Sequence, residues 1–140
     1  MATIQHEIVI EADLDRVWDA LRDFNAVHQR LAPGFVTDCR AEEGARVVSF
    51  ANGMVARERF VGLDEKLHRL SYSIAGGQLI HHNASAQLFA DSAQRTRFVW
   101  ITDVLPDDRA GFIGAMMKEG AATMKRTLEN DKALLAQSGH

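Results

Sequence analysis

The sequence has a single cysteine, Cys39, among its 140 residues. A lone cysteine excludes a framework of internal disulfides and fits a reducing compartment, so we expect a cytoplasmic protein. No stretch approaches the roughly 20 apolar residues of a transmembrane helix. Residues 1–12 alternate in polarity instead of forming the apolar run of a signal peptide. We therefore expect no stable membrane insertion.

Basic charge is also scarce. Lysine and arginine number 16 against 19 aspartates and glutamates, and the formal net charge at pH 7 is −3. A nucleic-acid-binding domain usually carries a basic stripe, and none is present, so we expect no nucleic-acid partner. The sequence also has no ligand spacing of the HExxH or CxxC kind. It therefore predicts no metal site and no cofactor.

One long amphipathic segment closes the chain, from residue 107 to about residue 136. Pro106, followed by Asp107 and Asp108, is typical of a helix start. A helix of about 30 residues is roughly 45 Å long, so it needs a long apolar partner surface. Its own stripe has apolar or small residues at every third or fourth position, namely Phe112, Ile113, Met116, Met117, Gly120, Met124, Leu128 and Leu135.

The rest of the chain alternates between apolar and polar residues, which predicts strands with one buried face. We place seven strands at residues 3–11, 35–41, 45–51, 54–63, 70–74, 79–90 and 95–105. The second strand would turn Phe35, Thr37, Cys39 and Ala41 to one face. Two short helices follow the first strand, at residues 14–22 with Asp13 as N-cap and at residues 26–31 with Asn25 as N-cap.

This order predicts an α+β fold in a single domain, residues 1–140. Asn52-Gly53 is a strong hairpin signal, and the other strand connections are also short, so successive strands should pair antiparallel. A curved seven-stranded antiparallel sheet would wrap around the closing helix. The two short helices would cover one end of the sheet.

The same order, with certain residues, resembles the SRPBCC superfamily, and most of all its bacterial polyketide cyclase/dehydrase-like proteins. The resemblance rests on residues 17–24 (VWDALRDF), Pro33-Gly34, residues 58–64 (ERFVGLD), residues 70–74 (LSYSI) and Trp100 ahead of Pro106. It implies the helix-grip fold of START-related and birch-pollen-allergen-like domains, in which a cavity lies between the sheet and the C-terminal helix. Family members differ widely in what they bind.

The plant abscisic acid receptors, distant members of this superfamily, allow a comparison by residue. Their glutamate that corresponds to Glu58 faces the cavity in a polar network around the ligand. Their lysine that meets the ligand carboxylate falls near Pro33, and a ligand-contacting tyrosine and serine fall at Ala84 and Ala86. The resemblance therefore does not imply binding of that hormone.

Glu58 is the first candidate for a functional polar group. By strand parity it shares a face with Met54, Ala56 and Phe60. A buried carboxylate is costly unless something satisfies it. Glu58 is either a polar anchor or general acid/base in the cavity, or a residue at the cavity rim that is paired with an arginine.

His82 and Tyr72 are the other candidates for catalysis or ligand contact. Parity turns His82 inward and His81 outward. His82 near Glu58 would form an acid/base or ligand-binding pair. The alternative is an ordinary hydrogen-bonded histidine at the cavity mouth. Ala84 and Ala86 should leave free volume unless something large opposes them.

The residues expected to contact a ligand are inward-facing strand residues and members of the helix stripe. We propose Phe35, Phe50, Glu58, Phe60, Tyr72, His82, Ala84, Ala86, Trp100, Phe112, Met116, Met117, Gly120 and Met124.

Three functions fit these residues. The first is that the protein, as a monomer or homodimer, binds a small molecule that is hydrophobic or aromatic and resembles a lipid or a polyketide. Alternatively, it is a cyclase- or dehydratase-type enzyme that uses Glu58, His82 and Tyr72. A third possibility is a non-catalytic partner protein with a filled cavity.

Overall fold

The computed structural model describes the backbone of residues 1–138 and the side chains of residues 1–130. Leu135 of the predicted helix stripe lies outside the described side chains. The strands are β1 Ala2–Ile10, β2 Val36–Glu42, β3 Ala45–Phe50, β4 Val55–Asp64, β5 Arg69–Ile74, β6 His81–Ser92 and β7 Arg95–Leu105. The helices are α1 Leu14–Arg22 and α2 Ala110–Ser138, with a 3₁₀ turn Phe24–Ala26 and a π-helical turn Val27–Leu31 after α1 and a 3₁₀ turn Asp107–Arg109 before α2.

All seven strands form one antiparallel sheet in the order β1-β7-β6-β5-β4-β3-β2. The predicted α+β helix-grip fold is therefore confirmed. Gly53 has a φ of +90°, a value that favours glycine, at the tight β3–β4 hairpin. This turn fixes the register of β3 on β4, in which Val48 lies opposite Ala56.

The first helix begins as its sequence predicts. The side chain of Asp13 accepts a hydrogen bond from the backbone N–H of Arg16 at 3.2 Å. Trp18 on its buried side donates from Nε1 to Glu65 Oε2 at 2.6 Å, which ties α1 to the β4–β5 turn. Val17 and Leu21 enter the core beside Trp18.

The predicted second helix at residues 26–31 is wrong in type. The chain forms a 3₁₀ turn and then a π-helical turn, and Asn25 makes no capping hydrogen bond. The N–H of Ala32 closes the wide turn on the carbonyl of Val27 at 2.8 Å. This wider turn keeps both Val27 and Leu31 on the buried side.

The predicted alternation of β2 is also wrong. The pairing of β2 with β3 shifts between Val36 and Asp38, and such a bulge inverts the faces of the residues around it. Val36 is buried and Thr37 is exposed. Cys39 is partly buried beside Val48, and burial raises the pKa of its thiol.

The second half of the described α2 is anchored on the edge strand β1. Lys125 Nζ donates to the carbonyl of Val9 at 2.6 Å and to Glu129 Oε2 at 2.7 Å. The same carboxylate oxygen accepts from the backbone N–H of Glu11 at 2.8 Å. Leu128 packs in the core on the inner face of this contact. No helix among the described residues has the length and apolar character to cross a membrane.

Candidate functional site

A cavity of about 110 Å³ lies between the concave face of the sheet and the first half of α2. Its polar wall residues are Asp23, Arg46, Glu58, Tyr72, His82 and Thr102. The remaining wall residues are apolar, namely Leu21, Val27, Leu31, Ala32, Phe35, Val36, Val48, Phe50, Met54, Ala56, Leu70, Ile74, Ala86, Phe98, Trp100, Phe112, Ile113, Met116, Met117 and Met124.

Most of the residues that the sequence nominated for ligand contact border this cavity. They are Phe35, Phe50, Glu58, Tyr72, His82, Ala86, Trp100, Phe112, Met116, Met117 and Met124. Phe60, Ala84 and Gly120 do not line it, and each has a separate reason.

Phe60 lies beyond the cavity, although parity places it on the inner face of β4. The 3₁₀ turn after α1 covers this part of the strand. The Phe60 ring packs edge-on against Phe24, with ring centroids 5.5 Å apart, and it remains 43% exposed. Gly120 instead allows close packing of α2, because a Cβ at this position would lie only 3.1 Å from Cε2 of Phe35.

Ala84 is fully buried beneath two larger side chains. Tyr72 on β5 lies opposite Ala84, and Trp100 on β7 lies opposite Ala86. Nε1 of Trp100 donates a hydrogen bond to the Tyr72 hydroxyl at 3.1 Å. The two hydrogen-bonded rings thus occupy part of the volume that the sequence left open, while Ala86 still borders the cavity.

Glu58 forms a buried ion pair with Arg46, and each residue is 6% exposed. Arg46 Nε and Nη2 contact the same carboxylate oxygen, Oε1, at 2.8 and 2.7 Å. Nη1 of Arg46 donates to the carbonyl of Phe24, and the guanidinium lies 3.9 Å from the centre of the Phe24 ring. Glu58 is therefore paired with an arginine, as one reading predicted, but inside the cavity wall and not at its rim.

Arg46 is the main polar residue that the sequence interpretation missed. Pairing outward from Asn52-Gly53 as a two-residue turn would have placed Arg46 opposite Arg59. The observed loop has three residues, 51–53, because the N–H of Phe50 bonds to the carbonyl of Met54 at 2.8 Å, and this register brings Arg46 opposite Glu58.

His82 is buried and has a fixed tautomer. Its Nδ1 accepts the backbone N–H of Ile74 at 3.0 Å, so the proton of the neutral ring lies on Nε2. Burial lowers the pKa of His82 to about 4, which keeps the ring neutral at pH 7.

Among the described hydrogen bonds, none joins Glu58 to His82 as the expected acid/base pair. Ile74 lies opposite Glu58 on the neighbouring strand and binds His82 through its backbone, so the two residues are separated by two strand spacings. That distance is about 10 Å between Cα atoms. Each residue has its own protein partner instead.

The Tyr72 hydroxyl is held in its protonated form. Burial raises its pKa, and the nearby negative charge of Glu58 raises it further. The hydroxyl already accepts the Trp100 N–H, so its own proton is the part that can be donated to another group.

The cavity wall reaches solvent at residues near the β3–β4 turn and the start of α2. Two apolar wall residues there are exposed, Met54 by 38% and Phe112 by 44%. Asn52 Nδ2 contacts the sulfur of Met116 at 3.5 Å and so links the turn to the helix.

The family model for polyketide cyclase / dehydrase and lipid transport proteins matches residues 1–136. The chain belongs to this family. No functionally curated protein matches it at a significant level. Membership in the polyketide cyclase/dehydrase family agrees with the observed fold and with an internal cavity, and it leaves the ligand open.

Solved structures of similar fold include proteins with and without a named activity. An uncharacterized protein from Bacillus thuringiensis has a TM-score of 0.80 at 15% identity, covering 91% of this chain and 98% of that one. The Zhui aromatase/cyclase from a Streptomyces species has a TM-score of 0.67 at 16% identity, covering 96% and 95%. Norcoclaurine synthase from Thalictrum flavum has a TM-score of 0.66 at 15% identity, covering 94% and 96%. At these identities the similarity establishes the fold alone.

The part of this family member that the structure describes holds no group of three or more His, Cys, Asp or Glu side chains able to bind a metal ion. The described cavity wall instead combines Arg46, Glu58, Tyr72 and His82 with an apolar surface.

Proposed function

We propose that this protein binds a small, largely apolar molecule in the cavity between the sheet and α2. The observation that carries the proposal is the composition of the cavity wall, where a few placed polar side chains interrupt an otherwise apolar surface. Ligand sites in proteins have this composition, because the apolar area supplies affinity and the polar groups supply orientation.

The cavity volume favours a ligand of about one ring. Its 110 Å³ is well below the roughly 300 Å³ of ordinary ligand pockets. It is closer to an engineered apolar cavity of about 150 Å³ that admits benzene. A ligand the size of a lipid or a polyketide would require the mouth to widen. The flexible side chains of Met54, Met116 and Met117 in the wall would permit some adjustment.

Titration with ethylbenzene, followed by amide NMR shifts, tests this proposal. We expect saturable shifts that centre on the cavity wall. Ala56→Leu fills the cavity from β4 and should weaken binding at least tenfold. Ala90→Leu adds the same atoms at an exposed position of β6 and should leave affinity unchanged. Equal affinity in both variants, or no saturable binding to the original protein, would contradict the proposal.

A second candidate function is catalysis of cyclisation or dehydration in the same cavity. It is supported by the family description and by the donors that His82 Nε2–H and Tyr72 O–H offer to a carbonyl oxygen. The test is turnover of a small 1,3-dicarbonyl compound. His82→Gln should lower kcat if His82 acts on the reacting atoms, whereas a binding protein would show no turnover to lose.

The third reading, a partner protein with a filled cavity, makes the opposite prediction for the titration. In that case neither ethylbenzene nor any other single-ring compound would bind saturably, and Ala56→Leu would change only stability.

A further inference from the structure

Three polar groups of the cavity wall have hydrogen-bonding capacity that no described residue uses. They are Oε2 of Glu58, Nε2–H of His82 and the hydroxyl proton of Tyr72. All three side chains are buried in the wall, so a ligand or a water molecule that enters the cavity can supply their partners. The identity of each group as donor or acceptor is fixed by its protein contacts.

Glu58 offers an acceptor only. Both Arg46 contacts fall on Oε1, so the charge of the carboxylate is compensated while Oε2 stays available. Arg46 itself is held by Glu58 and by the carbonyl of Phe24. Among the wall residues that the structure describes, Arg46 is the single lysine or arginine. The cavity therefore has no unpaired cation to receive a ligand anion.

His82 and Tyr72 offer donors. The N–H of Ile74 occupies Nδ1 of His82, which leaves Nε2–H as the free position. The N–H of Trp100 occupies an acceptor site of the Tyr72 hydroxyl, which leaves its proton. The rings of His82 and Tyr72 lie close together, with centroids 6.0 Å apart.

The acceptor Glu58 and the donor His82 lie at different places on the cavity floor. Tyr72 is on the strand between them, with its ring centre 5.6 Å from Cζ of Arg46. Glu58 is on β4, and His82 is two strands away on β6, with Ile74 of β5 between them. The separation of about 10 Å between the Cα atoms leaves room for one ring between the two polar ends. Direct contact between Glu58 and His82 is not needed for both to hold one molecule.

We propose that the natural ligand is an uncharged single-ring compound that donates a hydrogen bond to Glu58 and accepts one from His82 or Tyr72, such as a ring with a hydroxyl group and an opposed carbonyl group. This inference rests on the proposed binding function and adds the polar chemistry of the ligand. It disfavours carboxylates, because Glu58 would repel them and Arg46 is already neutralised.

Four probes of similar size separate the contributions. 4-Hydroxyacetophenone has both polar groups, 4-ethylphenol only the donor, acetophenone only the acceptor and ethylbenzene neither. We expect affinity, measured by calorimetry, to be highest for 4-hydroxyacetophenone and to fall about three- to tenfold for each group removed. 4-Hydroxybenzoate, an anion of similar shape, should bind at least tenfold more weakly than 4-hydroxyacetophenone.

Variants assign each hydrogen bond to a residue. His82→Phe should weaken acetophenone binding several-fold more than it weakens ethylbenzene binding, and His81→Phe on the outer face is its matched control. Glu58→Gln should weaken 4-ethylphenol binding about tenfold. Glu42→Gln, in the exposed ion pair with Arg57, is its control. The probe series on the original protein decides the question even if a variant fails to fold.

The outcomes are distinct. If ethylbenzene binds and all four probes have the same affinity, the polar inference is overturned while the binding function stands. If 4-hydroxybenzoate binds more tightly than 4-hydroxyacetophenone, the uncharged class is overturned. If none of the probes binds, the proposed function fails and the inference falls with it.

Discussion

Arg46 lies directly opposite Glu58 in the β3–β4 hairpin, and two of its nitrogens contact the same carboxylate oxygen of Glu58. The pair is buried, so neither charge can recover its hydration if the other is lost. The desolvation cost of such a pair is partly offset by the carbonyl of Phe24 and by the ring of Phe24 beneath the guanidinium.

The first prediction concerns the stability of this pair. Arg46→Met leaves the Glu58 carboxylate buried and unpaired, so we expect a loss of about 3–5 kcal/mol in the free energy of unfolding. The double variant Arg46→Met/Glu58→Leu removes both charges and should be within about 1 kcal/mol of the original protein. Urea unfolding at pH 7 measures both.

The exposed pair between Arg57 and Glu42 on the same hairpin is the control. Arg57→Met should cost less than about 1 kcal/mol, because solvent screens that pair. A double variant as unstable as Arg46→Met alone would show that the loss comes from packing and not from an uncompensated charge.

The second prediction concerns Tyr72 and Trp100. Tyr72→Phe removes the acceptor of a buried indole N–H, and we expect a cost of about 1–3 kcal/mol in the free energy of unfolding. Trp100→Phe in the same background should then cost less than it does alone. A double-mutant cycle by chemical unfolding should give a coupling of about 1 kcal/mol, and additive effects would contradict the hydrogen bond.

The third prediction uses two glycines of α2. A Cβ at Gly114 would lie 3.5 Å from Cγ2 of Ile4, an ordinary contact. Gly114→Ala should therefore stabilise the protein by up to about 1 kcal/mol, through the higher helix propensity of alanine. Gly120→Ala has the same propensity gain but forces the Phe35 ring to shift, so it should stabilise less or destabilise. Thermal unfolding of the two variants measures which one is more stable. Equal increases in stability would show that the Phe35 ring moves aside without a cost in free energy.

The fourth prediction follows from the lowered pKa of His82, about 4 against an ordinary 6.5. At pH values between about 4 and 6.5, His82 is protonated in the unfolded chain but neutral in the folded protein. This contribution to stability is therefore fully present above about pH 6.5 and is lost as the pH falls towards 4, by up to about 3 kcal/mol.

Unfolding by urea across this pH range checks the sign. His82→Gln should show a shallower rise of stability between pH 4 and 6.5 than the original protein, because glutamine does not titrate. His81→Gln, at the adjacent exposed position, should leave the slope nearly unchanged. Equal slopes in the His82 variant and the original protein would contradict the assignment.

Much of the fold followed from the sequence because its signals are periodic and local. The inward alternation of β6 and β7, the cap at Asp13 and the glycine turn at Gly53 each depend on a few neighbouring residues. The bulge after Val36 did not follow, because one extra residue changes parity without a compositional signal. The π-helical turn near Val27 was missed for a similar reason, since packing and not propensity selects it.

The site was harder to predict because it depends on contacts between distant residues. Strand parity placed Glu58 and His82 inward but could not give their partners, Arg46 and the N–H of Ile74. It likewise could not tell that Trp100 and Tyr72 occupy the space above Ala84. These arrangements depend on how far each side chain extends towards the neighbouring strands, and the alternation of residues along one strand carries no information about that distance.

The hydrogen bond between the Ile74 amide and the His82 ring has one further consequence. The backbone pairing of β5 with β6 ends at Tyr72 opposite Ala84. Beyond this pair, the N–H of Ile74 donates its hydrogen bond to Nδ1 of the His82 ring and not to a backbone carbonyl of β6. A protonated imidazole cannot accept at Nδ1, so acid would release this amide to solvent. The hydrogen-exchange rate of the Ile74 amide, read relative to that of Tyr72, would then report the charge of one side chain inside the cavity wall.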